Sequence, residues 1–219
     1  MSSSAAPLRL AVLVSGRGSN LRALLDAIDR RPDFGGQVVV VGSDRVGAGG
    51  LEHARAAGVA TVTRALDPED DRARWEEGLA DALAAHDPDV IVLAGFMRIL
   101  SGEFLARWPD RVVNTHPSLL PAFRGANAVR SALAHGVKLT GCTVHLVDEE
   151  VDHGPILAQE AVAVRADDTA ELLHERIRTV EHRLLPACVE ALCQRRVHLE
   201  GRLATIDPPS PSARSEEHL

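Results

Sequence analysis

Asn114-Thr115-His116-Pro117-Ser118-Leu119-Leu120-Pro121 sets a neutral amide donor two residues from an imidazole, and Asp152-His153-Gly154-Pro155 adds a carboxylate in a turn. These are the three side chains that a one-step acyl transfer to an amine requires. The amide can donate to a developing oxyanion. The imidazole, if protonated, can donate as well and then protonate the leaving nitrogen. The carboxylate raises the imidazole pKa by proximity and can relay the proton lost by the attacking amine. No covalent nucleophile is needed, and Ser118 lacks the Gly-x-Ser-x-Gly elbow of a serine hydrolase. Singly, each residue has a structural alternative: Asn114 and His116 alternate along one strand and can satisfy backbone groups, and Asp152 suits a turn. At one sheet edge they favour catalysis. The acidic run Asp148–Asp152 reads as a solvated turn or as a field that helps keep a nearby histidine protonated.

Two further segments carry chemistry. Gly16-Arg17-Gly18-Ser19-Asn20 stands between an apolar run and an Ala/Leu-rich helix, where free N–H groups and the positive helix end can hold an anion, phosphate first among them. A dinucleotide fingerprint is not met, since Leu21 stands where its third glycine belongs and Asp44 comes late for its acid. The alternative is a tight turn that packs helix on strand. Gly95-Phe96-Met97-Arg98-Ile99-Leu100 follows another apolar run and offers apolar surface with one cation, although Ile99 and Leu100 suit a core equally well.

The elements that must position these residues follow from periodicity. Leu8–Val14, Gln37–Ser43, Val59–Val62, Val90–Ala94 and Val112–Val113 read as strands, alternating with helices over Leu21–Arg30, Leu51–Ala57 and Asp70–His86. Such alternation predicts an α/β fold, an open, mostly parallel twisted sheet with helices on both faces. Both the glycine loop and His116 then leave the sheet at its ligand-bearing edge. Lys138–Val147 and Ile156–Val164 predict an antiparallel extension in the C-terminal half. Ser101 caps a helix, Thr169 caps a long helix to about Arg195 that Pro186 should interrupt, and Val197–Ile206 reads as a hairpin turning at Glu200-Gly201. Residues 8–206 are expected to form one domain, with 8–116 binding the phosphorylated substrate and 117–206 completing the site. Residues 1–7 and the Pro/Ser-rich 207–219 are expected to be disordered.

A chain of 219 residues with 45% hydrophobic content can bury a substantial core. Its net charge of -7 and pI near 5.8 argue against a protein that lives by neutralising nucleic-acid phosphates. Cys142, Cys188 and Cys193 lack metal-ligand spacing and read as reduced, buried thiols, the last two facing different directions. No secretory start or membrane-length run is present, so a cytoplasmic protein is expected.

Ser-Gly-Arg-Gly-Ser-Asn-Leu, Leu-Ala-Gly-Phe-Met-Arg-Ile-Leu, Asn-Thr-His-Pro-Ser-Leu-Leu-Pro and Asp-His-Gly-Pro occur in an order that resembles the phosphoribosylglycinamide formyltransferase family over about residues 8 to 206. The resemblance implies a Rossmann-like formyltransferase fold. It also implies formyl transfer from 10-formyltetrahydrofolate, as co-substrate, to the amine of glycinamide ribonucleotide in purine synthesis. Asn114, His116 and Asp152 would be the catalytic set, acting by direct attack through a tetrahedral intermediate. Gly18, Ser19 and Asn20 would hold the substrate phosphate, and Glu181 the ribose. Folate would lie against Met97, Arg98, Ile99 and Leu100 and the loop Val147, Asp148, Glu149, Glu150, Val151. Small-molecule partners, no metal, no nucleic acid, and a monomer or homodimer complete the expectation. His153 stands where the family often has a small residue, and Asn127 where many members have histidine.

Two relatives share the Asn, His, Asp arrangement. Methionyl-tRNA formyltransferase carries a C-terminal nucleic-acid-binding domain for which the residues after Ile206 leave no room. Formyltetrahydrofolate hydrolase carries an N-terminal regulatory domain and lacks the glycine loop. A non-catalytic nucleotide-binding module on the same fold is the alternative from another class.

Overall fold

The computed structural model describes residues 6–67 and 71–209. In chain order the elements are β1 (Leu8–Val14), α1 (Ser19–Arg30), β2 (Gly36–Ser43), α2 (Gly49–Ala56), β3 (Ala60–Thr63), α3 (Arg72–Ala84), β4 (Val90–Leu93), α4 (Gly102–Leu105) and β5 (Val112–His116). They continue with α5 (Ala128–Ala134), β6 (Leu139–Leu146), β7 (Ile156–Ala163), α6 (Ala170–Cys193), β8 (Val197–Glu200) and β9 (Leu203–Ile206). All the strands join one sheet in the order β3-β2-β1-β4-β5-β6-β7-β9-β8. Pairing is parallel from β3 to β5, antiparallel through β6 and β7, parallel between β7 and β9, and antiparallel between β9 and β8.

A central parallel strand is apolar on both faces because helices cover both. Leu10, Val12 and Val14 of β1, with Val90 and Val92 of β4, enter a core closed by Leu21 and Leu24 of α1, Leu51 of α2 and Leu185 and Val189 of α6. Ala11, Leu13, Ile91 and Leu93 enter the opposite core, closed by Trp75, Leu79 and Leu83 of α3 and Phe104 of α4. The expected open, mostly parallel sheet with an antiparallel extension is therefore the fold.

Two sequence expectations need correction. The strand expected at Val112–Val113 runs on through His116, because β6 supplies antiparallel partners to Asn114, Thr115 and His116. The long helix is not interrupted at Pro186, which sits buried inside α6. The proline ring removes one helical hydrogen bond and crowds the preceding turn, an effect of roughly 3 kcal/mol. Burial of Leu185, Cys188 and Val189 beside it offsets the loss. Cys188 and Cys193 both enter the core on this side of the sheet, Cys188 near Cys142 of β6 and Cys193 against Gly36 of β2. All three cysteines are free and buried, and burial pushes each thiol up to about 12. The short helix α5 had no sequence expectation. Residues 1–5 and 210–219, most of the expected disordered ends, and Asp70, the expected start of α3, lie outside the described residues.

Within the antiparallel extension, β6 approaches β7 closely at Gly141. A Cβ there would lie 2.1 Å from the Glu160 carbonyl oxygen on β7. Gly141→Ala must push the two strands apart, and an unfolding free energy lower by about 2–4 kcal/mol is expected by denaturant titration. A loss below about 0.5 kcal/mol would show that the strands part freely.

Candidate active site

Side chains alternate along a strand, so Asn114 and His116 project to the same face of β5. Thr115 points away, its Oγ1 3.3 Å from Cys142 Sγ. The register of β5 with β6 puts His145 directly opposite Asn114. His145 Nδ1 lies 2.8 Å from the Leu146 carbonyl oxygen, which can only accept, so Nδ1 carries the proton. Its Nε2 then accepts from Asn114 Nδ2 at 3.2 Å. One amide proton and the Oδ1 of Asn114 are left for a ligand.

Asp152 enters from the β6–β7 connection with a left-handed backbone, φ 49°. Its Oδ2 accepts the Gly125 N–H at 2.8 Å and lies 3.2 Å from His116 Nδ1, and Oδ1 lies 3.7 Å from His145 Nε2. His116 Nε2 donates to the Phe123 carbonyl at 2.9 Å. The three residues expected to act together thus converge, with His145 as a fourth. Burial acts to raise the Asp152 pKa, but the nearness of the His145 ring, the Gly125 N–H and the attraction of His116 and His145 for the carboxylate outweigh it and hold the carboxyl below its ordinary range.

For His116 the sequence expectation was a pKa raised by Asp152. The net direction is the reverse. Burial lowers it, outweighing the opposing pull of Asp152 and the Phe123 carbonyl, and His145 adds to the lowering. Imidazole, not imidazolium, is the resting form at neutral pH, with its proton on Nε2.

This direction has a consequence for stability. A histidine whose folded pKa lies below its unfolded value near 6.5 is protonated first in the unfolded chain, so stability falls as pH drops below that value. His174 and His182 are also lowered, by burial and by Arg178, with Arg17 adding to His174. The melting temperature should therefore decline between about pH 7 and pH 5, before most carboxylates protonate. His116→Gln should make the decline shallower, and an unchanged slope in calorimetry would contradict the lowered pKa.

The second part of the site is the start of α1. Gly18 takes the N-cap in the left-handed region, φ 77°, and a Cβ there would lie 2.4 Å from Gly50 Cα. Only glycine lets α2 approach this closely. The first-turn N–H groups of α1 lack helical partners and no acidic side chain occupies that turn. Ser19 opens onto a cleft of about 570 Å³ that Arg17, His53, Arg178 and His182 also line. Asn20 is buried, and its Nδ2 donates to Glu181 Oε2 at 3.2 Å. Asn20 Oδ1 and His182 Nε2 are buried atoms without a partner, as expected of groups that wait for a ligand. Burial raises the Glu181 pKa, opposed by Asn20 and Arg178.

The third part is the loop after β4. Met97 and Ile99 are 65% and 64% exposed, whereas Leu100 is in the core and can meet a ligand only through its backbone. Arg98 turns inward, its Nε 2.7 Å from Asp44 Oδ2. On the neighbouring connection, Val147 is partly buried against the core that α3 and α4 close, Glu149 lies against Gly102, and Glu150 and Val151 are exposed. Asp148 accepts from His153 Nδ1 at 2.7 Å, and Arg202 donates to the His153 carbonyl, tying this connection to the β8–β9 turn. Asn127 precedes α5 without a capping bond and lines a smaller cleft of about 210 Å³ with Pro117 and His174.

Sequence reasoning missed His145, Arg17, Arg178 and His182. A lone histidine in an otherwise apolar strand was the available signal for His145. Its pairing with Asn114 depends on a strand register that local pattern does not contain. Arg17 stands inside the glycine loop but was not singled out there, and Arg178 carries no sequence signal, since surface cations are common.

Among the described residues no group of three or more histidines, cysteines and acids could hold a metal ion, and no helix is long and apolar enough to cross a membrane. The formyl transferase family model matches residues 8–189. The chain is 51% identical over 201 residues to the phosphoribosylglycinamide formyltransferase of Mycobacterium tuberculosis, covering 92% of each. Its fold superposes on glycinamide ribonucleotide transformylase 1 of Symbiobacterium toebii with a TM-score of 0.87 at 46% identity, over 92% of this chain and 95% of that one. A formyltetrahydrofolate deformylase of Pseudomonas syringae gives a TM-score of 0.85 at 28% identity, over 93% of this chain and 67% of that one.

Proposed function

The chain belongs to the formyl transferase family, and on that premise we propose that it moves a formyl group from 10-formyltetrahydrofolate to the amine of glycinamide ribonucleotide, in the cytoplasmic synthesis of purines. The observation that carries this reading is the convergence of Asn114, His116, Asp152 and His145 on the sheet edge that also holds a cleft lined mostly by arginine and histidine. In it the substrate phosphate takes the N–H groups of Gly18, Ser19 and Asn20, with Arg17 and Arg178 adding charge. Glu181 meets the ribose, and the folate lies along Met97, Arg98, Ile99 and Leu100 and the Val147–Val151 loop.

The chemistry follows from the resting protonation. Attack of the amine on the formyl carbon forms a tetrahedral centre, whose oxyanion accepts from the free Asn114 N–H and from the His116 Nε2–H once that proton leaves the Phe123 carbonyl. The ammonium proton passes to ionised Asp152. From there it has a 3.2 Å path to His116 Nδ1, while the Nε2 proton goes to the departing folate nitrogen. The C–N bond to folate breaks, the new formamide remains, and the imidazole ends neutral.

A two-substrate assay tests the reading. Formylation of the ribonucleotide should require both ligands, with little formate released when the amine acceptor is omitted. Formate release that does not depend on the ribonucleotide would assign the chain to the hydrolytic branch represented by the deformylase neighbour.

A further inference from the structure

The most enclosed charged group outside the reacting centre is Asp44, which follows β2 and has a fully buried side chain. Both of its oxygens are committed. Ser15, at the end of β1, donates its hydroxyl to Oδ1 at 2.6 Å, and Arg98 donates from Nε to Oδ2 at 2.7 Å. Ser15 Oγ in turn accepts the Met97 N–H at 2.8 Å, and the Ser15 N–H reaches the Gly95 carbonyl at 3.2 Å. The ends of three adjacent strands, β2, β1 and β4, are thus joined through one carboxylate. Sequence reasoning met Asp44 only as an acid placed too late for a dinucleotide ribose.

We infer that Asp44 and Ser15 are positioning residues for the formyl donor, holding the 95–100 loop so that Met97 and Ile99 face outward while Arg98 is drawn in. The inference rests on the reading above that folate lies along this loop. An exposed loop with two large apolar side chains would ordinarily fold them back against the protein. Here the charge of Arg98 is held from beneath and the Met97 N–H is held from β1, so the residues between and beside them have one arrangement. Leu100 anchors the far end in the core. A ligand that lands on a loop already ordered loses less entropy on binding, which lowers its Kd without any contact to Asp44 itself. Ser15 immediately precedes Gly16 of the phosphate loop, yet that loop has its own anchor, the Gly50 N–H to Gly16 carbonyl bond at 3.1 Å. The donor side should consequently depend on Asp44 far more than the phosphate side does.

The test uses Asp44→Asn, which keeps shape and an acceptor for Ser15 but loses the charge that holds Arg98, together with Asp44→Ala and Ser15→Ala. Calorimetric titration with tetrahydrofolate and, separately, with glycinamide ribonucleotide gives the two affinities. Hydrogen exchange of the unliganded protein reports order at residues 95–100. In Asp44→Ala the Kd for tetrahydrofolate should rise about tenfold while that for the ribonucleotide stays within about twofold, and exchange at Met97 should accelerate with residues 16–20 unchanged. Asp44→Asn and Ser15→Ala should shift both readouts the same way by less. Equal weakening of both ligands, or any result in which folate affinity and loop exchange part company, overturns the proposal. Because neither readout needs turnover, it is decided even if the wild-type protein transfers no formyl group, a result that would sink the preceding reading instead.

Discussion

Asp152→Asn should fold and bind both ligands as the wild-type protein does, yet turn over about 10³-fold more slowly. Asparagine is among the few residues that tolerate the left-handed conformation Asp152 adopts at φ 49°. Its amide oxygen, placed where Oδ2 stands, can still accept the Gly125 N–H beside the bare Nδ1 of His116, and its NH₂ then takes the place of Oδ1 toward the accepting Nε2 of His145. The static site is therefore preserved, and what disappears is the acceptor for the proton shed by the attacking amine. The depressed pKa of Asp152 fits a carrier that is empty at rest and passes its proton on, not a place where the proton stays. Steady-state kinetics with both substrates varied would check this. Turnover within about threefold of wild type would mean that solvent takes the proton and that Asp152 only orients His116.

Asn114→Ala should lower kcat by about 10²–10³ while changing either KM little, because on the proposed mechanism its free N–H serves charge that exists only in the transition state. The substitution also removes the donor to His145 Nε2 at 3.2 Å, so part of any effect could come from a disturbed histidine. His145→Gln separates the two contributions, since it leaves Asn114 in place and takes away the imidazole. A kcat loss in Asn114→Ala no larger than that in His145→Gln would show that the amide serves its neighbour and not the substrate.

Much of this site was legible in the sequence for identifiable reasons. The central strands announce themselves because a buried parallel strand has to be apolar on both faces, as Val90-Ile91-Val92-Leu93 is. Asn114 and His116 were legible as a pair because two-residue spacing puts them on one face of any strand, whatever its partners. What stayed hidden depends on pairing. Nothing in Leu139–Leu146 says that His145 and not Thr143 stands opposite Asn114, and nothing local says that a proline can lie inside a helix when both flanks are buried. The sign of the His116 shift was hidden for a related reason. A charge neighbour can be guessed from a motif, but the burial that outweighs it is a property of the assembled fold. Asp44 shows the same limit, since its partners at positions 15 and 98 come from two other strand ends.

The three buried cysteines turn the chain into its own recorder of motion. A thiol that is enclosed and pushed up to about 12 supplies almost no thiolate at neutral pH, so an alkylating reagent must wait for the surrounding structure to open. Cys142 sits behind the reacting face, next to Thr115, Cys188 in the middle of the α6 core, and Cys193 at the last residue of α6 against Gly36. Their separate labelling rates amount to three clocks, one for the catalytic strand pair, one for the helix core and one for the helix end. Comparing the clocks with and without ligand would tell which of these regions breathes independently and which opens only when the whole molecule does.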